Sequence, residues 1–322
     1  MDEEIRRLTE EAEKQIKIIE KIKSEFEKVI VGQEVLFNRM VSALLSAGHI
    51  LLEGVPGLAK TLSIKTLATI LGMDFKRIQF TPDMLPADIR GTLIYNQNTG
   101  SFEVKKGPIF TNFILADEIN RAPSKVQSAL LESMQERTAT IGDHTYNIPE
   151  PFFVMATQNP IEQEGTYPLP EAQTDRFYMK VLIDYPSESE EKRVIHRMSG
   201  LSYPEPKPVT DREEILNLQH FVEKIYVDEK IYDYIVRIVS ATRKDESGHI
   251  RYGASPRASI NFVKAARAEA FFDGRGFVIP EDVKAVAPDI LRHRLILSFE
   301  AEAEGVTADM VIERILNTVE IP

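Results

Sequence analysis

The sequence predicts an α/β domain over residues 31–185, preceded by an N-terminal helix over 1–30 and followed by a smaller all-α domain over 186–322. Three observations lead there. Five short apolar runs alternate with helix-patterned segments, a glycine-bearing loop follows the first run, and after DYPSESEEK (residues 184–192) the strand pattern stops. At 322 residues the chain is long enough for two cores, because single cores stop growing near about 250–300 residues.

Ile5, Leu8, Ala12, Ile16, Ile19, Ile22, Phe26 and Val29 recur at three- and four-residue spacing, which predicts an amphipathic helix at the start of the chain. Few heptads are present, which favours a helix laid on the protein's own surface over a coiled-coil partner face. A second helix is expected over about 34–46. The strands are HILLE (49–53), FKRIQF (75–80), NFILAD (112–117), FFVMAT (152–157) and FYMKVLI (177–183). Short, nearly continuous apolar runs separated by helices suit a parallel sheet covered on both faces.

Two insertions interrupt this part. Residues 91–109 carry an Asn98-Thr99-Gly100 turn between alternating segments, and residues 138–148 carry Gly142-Asp143 in the same role, so both are expected to be β-hairpins. Beyond residue 185, EEILNLQHFVEKI, KIYDYIVRIVSATRK, PRASINFVKAARAEAFF and PEDVKAVAPDILRHRL read as helices, with Pro256 and Pro280 at their starts. Pro288 is expected to break the last of them in two.

Composition excludes several kinds of chemistry. The net charge of −11 speaks against a protein whose main task is gripping nucleic acid, although a local basic groove stays open. The absence of cysteine removes disulfides, thiol nucleophiles and Cys-ligated zinc. The six histidines include no H-E-x-x-H pair, so each reads as a core or surface residue. An acidic N-terminus and the lack of any run of about 18 apolar residues lead to the expectation of a cytoplasmic protein without a membrane span.

Chemistry concentrates in a few places. GVPGLAKT (54–61) follows a strand and opens a helix, as a phosphate-binding loop does: Gly54 and Gly57 free the backbone, Lys60 brings the charge and Thr61 a hydroxyl for magnesium. The general pattern asks for glycine where Ala59 stands. A methyl group is acceptable there if the residue is already helical in φ, and taken alone the stretch also fits a plain strand-to-helix turn. FILADE ends a strand in Asp117 and Glu118; one carboxylate can hold Mg²⁺ through water while the other orients or deprotonates an attacking water, or both can simply solvate a loop. VMATQNP puts Asn159 where it can bond a phosphate or that water, or form an ordinary Asn-Pro turn.

With EAQTDRF and YGASPRAS, these motifs occur in the order found in AAA+ ATPases, and EGVPGLAKT, DEINRAPSKVQSALLESMQE and LPEAQTDRF look like the MoxR branch. The resemblance implies an AAA+ core with a five-stranded parallel sheet and a small helical lid, binding ATP and Mg²⁺. It makes Gly54, Val55, Pro56, Gly57, Leu58, Ala59, Lys60 and Thr61 the Walker A loop, Asp117 and Glu118 the Walker B pair, and Asn159 sensor 1. Arg176 becomes an arginine finger acting on a neighbouring subunit's γ-phosphate, and Arg257 sensor 2 on the lid. Val31, Gly32 and Gln33, within VIVGQE, would line the adenine pocket. Arg121, just after the acidic pair, is open to contact with a neighbouring subunit, and neither it nor Arg90 receives a role at the site.

The resemblance also implies a function. It points to a ring ATPase, a hexamer, that remodels or matures partner protein complexes in a chaperone-like way, often with a von Willebrand factor A domain partner. The hairpins match insertions that face a central pore in relatives, and Lys105, Lys106, His144 and Tyr146 there do not reveal a substrate. Two other readings share this organisation: a nucleic-acid motor of the MCM type, against which the charge stands, and a magnesium-chelatase-like motor subunit.

Overall fold

The computed structural model describes residues 2–55, 57–159, 165–200 and 204–322. It opens with helix α1 (Asp2–Val29), whose Ala12, Ile19, Ile22, Phe26 and Val29 are buried at the spacing read from the sequence. Helix α2 (Glu34–Leu45) precedes strand β1 (Ile50–Glu53), and α3 (Lys60–Ile70) leads to β2 (Phe75–Gln79). After the short α4 (Pro86–Arg90) comes the first hairpin, β3 (Gly91–Asn96) with β4 (Ser101–Lys106). Next along the chain are β5 (Phe113–Asp117), α5 (Ser124–Glu136), the second hairpin of β6 (Thr138–Ile141) and β7 (His144–Asn147), β8 (Phe153–Gln158), α6 (Glu171–Thr174) and β9 (Met179–Leu182).

The five expected strands pair in the order β2-β5-β8-β1-β9, all parallel. Period-two alternation explains how both faces are covered. In β5 and β8, Phe113, Leu115, Phe153 and Met155 join the core beneath α1, α2 and α3. Ile114, Ala116, Val154 and Ala156 join a second core with Val126, Leu130 and Leu131 of α5. Both hairpins lie outside the sheet, side by side, with Leu93 over Gly142. The base of the first needs glycine: Gly91 has φ 105°, and a Cβ there would sit 2.6 Å from the Gly107 nitrogen.

Beyond the sheet the chain is helical: α7 (Glu188–Met198), α8 (Arg212–Glu223), α9 (Glu229–Arg243), α10 (Pro256–Phe272), α11 (Pro280–Leu291), α12 (Phe299–Ala303) and α13 (Ala308–Thr318). A small antiparallel pair, β10 (Ile250–Tyr252) with β11 (Ile296–Leu297), interrupts them, where sequence periodicity alone predicts only helices. Pro256 and Pro280 open α10 and α11 as expected.

Pro288 does not break α11, contrary to expectation. Tertiary contacts outweigh the roughly 3 kcal/mol cost of an interior proline. Val286, Ala287, Ile290 and Leu291 are fully buried, and Arg39 of α2 donates to the Ala285 carbonyl at 2.9 Å and to Asp289 at 2.6 Å, bracketing the proline. Arg39 also reaches Glu269 of α10, so one side chain ties α2 to both helices. Helix α1 packs on α3 and on α10, and Arg197 of α7 donates to the Glu27 and Ile30 carbonyls at its end.

Candidate functional site

The carboxyl ends of β1, β5 and β8 converge on a pocket of about 460 Å³, the usual place for a ligand at an open α/β sheet. Its lining includes Gly54, Gly57, Leu58, Ala59, Lys60 and Thr61 from the loop between β1 and α3, with Asp117, Glu118 and Asn159 opposite. Helix α3 begins at Lys60, so its free N–H groups and positive dipole end face this space. Val55 is half-buried against the core, and Pro56 lies outside the described residues.

Local conformation departs from expectation at Ala59. It is the residue before α3, with φ 54° and ψ 21°, the left-handed region and not a right-handed helical one. Gly57 is also left-handed, at φ 89°, where glycine carries no penalty. Alanine tolerates this at a cost of roughly 1–2 kcal/mol, and its carbonyl still accepts the Ser63 amide and hydroxyl. The Lys60 ammonium donates to the Gly54 carbonyl. Burial draws its pKa below the ordinary lysine value, while Asp117, Glu53 and Glu118 pull it back up.

The two acids are held from both neighbouring strands. Thr157 of β8 donates to Asp117 Oδ1 at 2.6 Å and accepts the Glu118 amide at 2.9 Å. Arg77 of β2 grips Asp117 Oδ2 through Nε at 3.1 Å and Nη2 at 2.6 Å. Gln79, whose Oε1 accepts from Arg77 at 2.7 Å, donates to Glu118 Oε2 at 2.8 Å. Arg121 Nε stands 3.1 Å from the same Glu118 oxygen, so it belongs beside the acids after all. Glu118 itself is left-handed, at φ 56°, a strained conformation of the kind that collects at functional sites. Arg90 pairs with Glu132 of α5, away from the pocket.

Sequence reasoning passed over Arg77, Gln79 and Thr157. The register Gln79↔Asp117 and Ala116↔Ala156 brings them to the acids, and pairing partners are invisible in a single strand's pattern.

The other expected residues lie elsewhere. Val31, Gly32 and Gln33 line a separate cleft of about 370 Å³ with Phe37, Glu190 and Arg193, where the Glu190 carboxylate sits over Gly32 at φ 71°. Arg176 and Arg257 do not line the phosphate-side pocket of their own chain. Both face a third cleft, of about 280 Å³, together with Arg137 and Lys264. Arg257 Nη1 is 3.4 Å from Asp175, whereas the half-buried Arg176 guanidinium has no ion pair or hydrogen bond among the described residues.

A glycine-bearing loop at a helix start, paired acids on the next strand but one and a helical region behind them define a P-loop ATPase of the AAA class. Family models agree: residues 49–179 match the ATPase family associated with various cellular activities, and residues 242–315 match the AAA lid domain. The chain belongs to the MoxR-type AAA+ ATPases. It is 50% identical to Chaperone MoxR1 of Mycobacterium tuberculosis over 96% of this chain and 83% of that protein. Protein MoxR of Methylorubrum extorquens is 30% identical, over 92% of this chain and 93% of its own length. A crystal structure from Cytophaga hutchinsonii superposes with a TM-score of 0.92 at 51% identity, covering 97% of this chain and 98% of that one. No helix among the described residues is long and apolar enough to cross a membrane.

Proposed function

We propose that the chain hydrolyses Mg-ATP as a homo-oligomeric ring, a hexamer, and uses that work for chaperone-like remodelling or maturation of partner protein complexes. One observation carries the reading. Lys60, Thr61, Asp117, Glu118 and Asn159 share one pocket whose own arginine, Arg77, is bound to Asp117, while Arg176 faces another cleft of the same chain, which supports an Arg176 that serves the phosphates of a second copy. The name of the 50% identical relative, Chaperone MoxR1, supports the remodelling role.

Each residue of the pocket has its own part of the work. Lys60 and the amide groups opening α3 hold the phosphates. Thr61 and, through water, Asp117 are oxygen donors suited to Mg²⁺, which when bound supplies charge neutralisation on the phosphates. Glu118, oriented by Gln79 and Arg121, takes the proton from the attacking water. Asn159 bonds the γ-phosphate or that water, and the products are ADP and phosphate.

Arg176 from the neighbouring subunit stabilises charge on the transferring group. Arg257 shares its cleft and acts from the same face, toward the neighbour and not toward its own phosphates. Val31, Gly32 and Gln33 contact the adenine. The paired hairpins face the client, and a von Willebrand factor A domain protein is the partner class. With a charge of −11, nucleic acid is a poor client.

The test is hydrolysis per subunit against protein concentration, with sedimentation in parallel. The rate per subunit should rise as the ring forms. A rate independent of assembly would remove the trans arginine and with it the ring mechanism.

A further inference from the structure

Arg294 lies just past α11 and reaches the segment that carries Arg176. Its Nε donates to Asp175 Oδ1 at 2.8 Å. The other four N–H groups go to the carbonyls of Asp175 (3.2 Å), Phe177, Tyr178 (3.5 Å) and Ile290. All five donors are therefore used, four of them on residues within two positions of Arg176 and on both sides of it. The side chain is 1% exposed. Burial lowers its pKa to about 10, with Asp175 opposing the shift, so it stays charged at neutral pH.

The second Asp175 oxygen accepts Ser255 Oγ at 2.9 Å and faces Arg257 Nη1 at 3.4 Å, both at the start of α10. His293 adds a bond to the Phe177 carbonyl at 3.3 Å. Asp175 is thus the point where α10 and the end of α11 meet the strand entry bearing Arg176. A buried ion pair is a poor device for stability, since apolar side chains would hold the same surfaces at least as well. A planar guanidinium fork does fix direction and distance. Arg176 needs that, because its own guanidinium is not anchored among the described residues.

We propose that Arg294 is a positioning residue: by clamping both flanks of Arg176 to the helical region, it sets the reach of that guanidinium toward the neighbouring subunit. This rests on the reading that Arg176 acts in trans. The position of the helical region in one subunit then governs hydrolysis in the next.

Subunit mixing tests it. Arg294→Lys keeps the charge but not the fork; Asp175→Asn keeps the shape but not the charge, and melting curves establish that each is folded. Alone, each should bind a fluorescent ATP analogue within about twofold of wild type yet lose about 10²-fold in kcat, the order expected for a displaced catalytic group. Excess Glu118→Gln protein, whose own slow turnover is measured alone and subtracted and which carries an intact Arg176, should restore turnover at the variants' own pockets to the level reached when it is mixed with Arg176→Ala. If Arg176→Ala is restored and neither clamp variant is, the clamp acts on its own pocket and the proposal fails. If the clamp variants keep wild-type kcat, it fails as well. If Arg176→Ala is not restored either, the trans reading falls and takes this proposal with it.

Discussion

Thr157 and Asp117 share a hydrogen bond of 2.6 Å across neighbouring strands, and the same hydroxyl accepts the backbone N–H of Glu118 at 2.9 Å. One buried oxygen, on a residue 2% exposed, therefore fixes both acids of the pocket. Thr157→Val preserves the shape and removes the oxygen. It leaves the Glu118 amide unpaired, which should cost about 1–3 kcal/mol in chemical denaturation and lower kcat more than nucleotide affinity.

Ala59 offers a test of strain. Glycine at this left-handed position relieves the Cβ penalty but loosens the unfolded chain, so the two effects partly offset. Ala59→Gly should raise stability by about 0.5–1 kcal/mol, read from the denaturation midpoint, with nucleotide binding retained. A loss of stability would contradict a left-handed Ala59.

His49 predicts the acid limb of the stability curve. Its Nδ1 accepts the Val154 amide at 3.1 Å and its Nε2 donates to the Met134 carbonyl at 3.1 Å, an arrangement that requires the neutral ring. Burial, with Arg137 adding to it, lowers the pKa from 6.5 to about 3. Below pH 6.5 the unfolded chain takes a proton that the folded one refuses, so stability falls with falling pH until about pH 3, at roughly 1.4 kcal/mol per unit for this group. His49→Gln should remove one proton's worth of that slope. An unchanged slope would contradict the neutral buried histidine.

Much of this fold is legible in the sequence because its signals are local. Apolar runs mark the five strands, Asn98-Thr99-Gly100 and Gly142-Asp143 mark the hairpins, and Pro256 and Pro280 mark helix starts. Lys60, Thr61, Asp117, Glu118 and Asn159 can be picked out because each sits at the end of a recognisable strand or the start of a helix, and the sheet brings them into one pocket. What escapes the sequence depends on pairing and packing. Arg77 and Gln79 reach the acids through the register of β2 against β5, and Arg294 reaches Asp175 across 119 positions. Pro288 misleads because tertiary burial overrides its local preference. Helix α7 is absent from the periodicity because it buries no residue fully, although Ser187 and Glu190 form a capping box at its start.

The most direct measurement compares ATP binding and ATP turnover in Glu118→Gln. The variant removes the proton acceptor and keeps the shape of the side chain. It should bind ATP as wild type does and lose turnover by about 10²- to 10⁴-fold, the usual worth of a general base. Turnover close to wild type would contradict the assignment of Glu118 and of hydrolysis to this pocket.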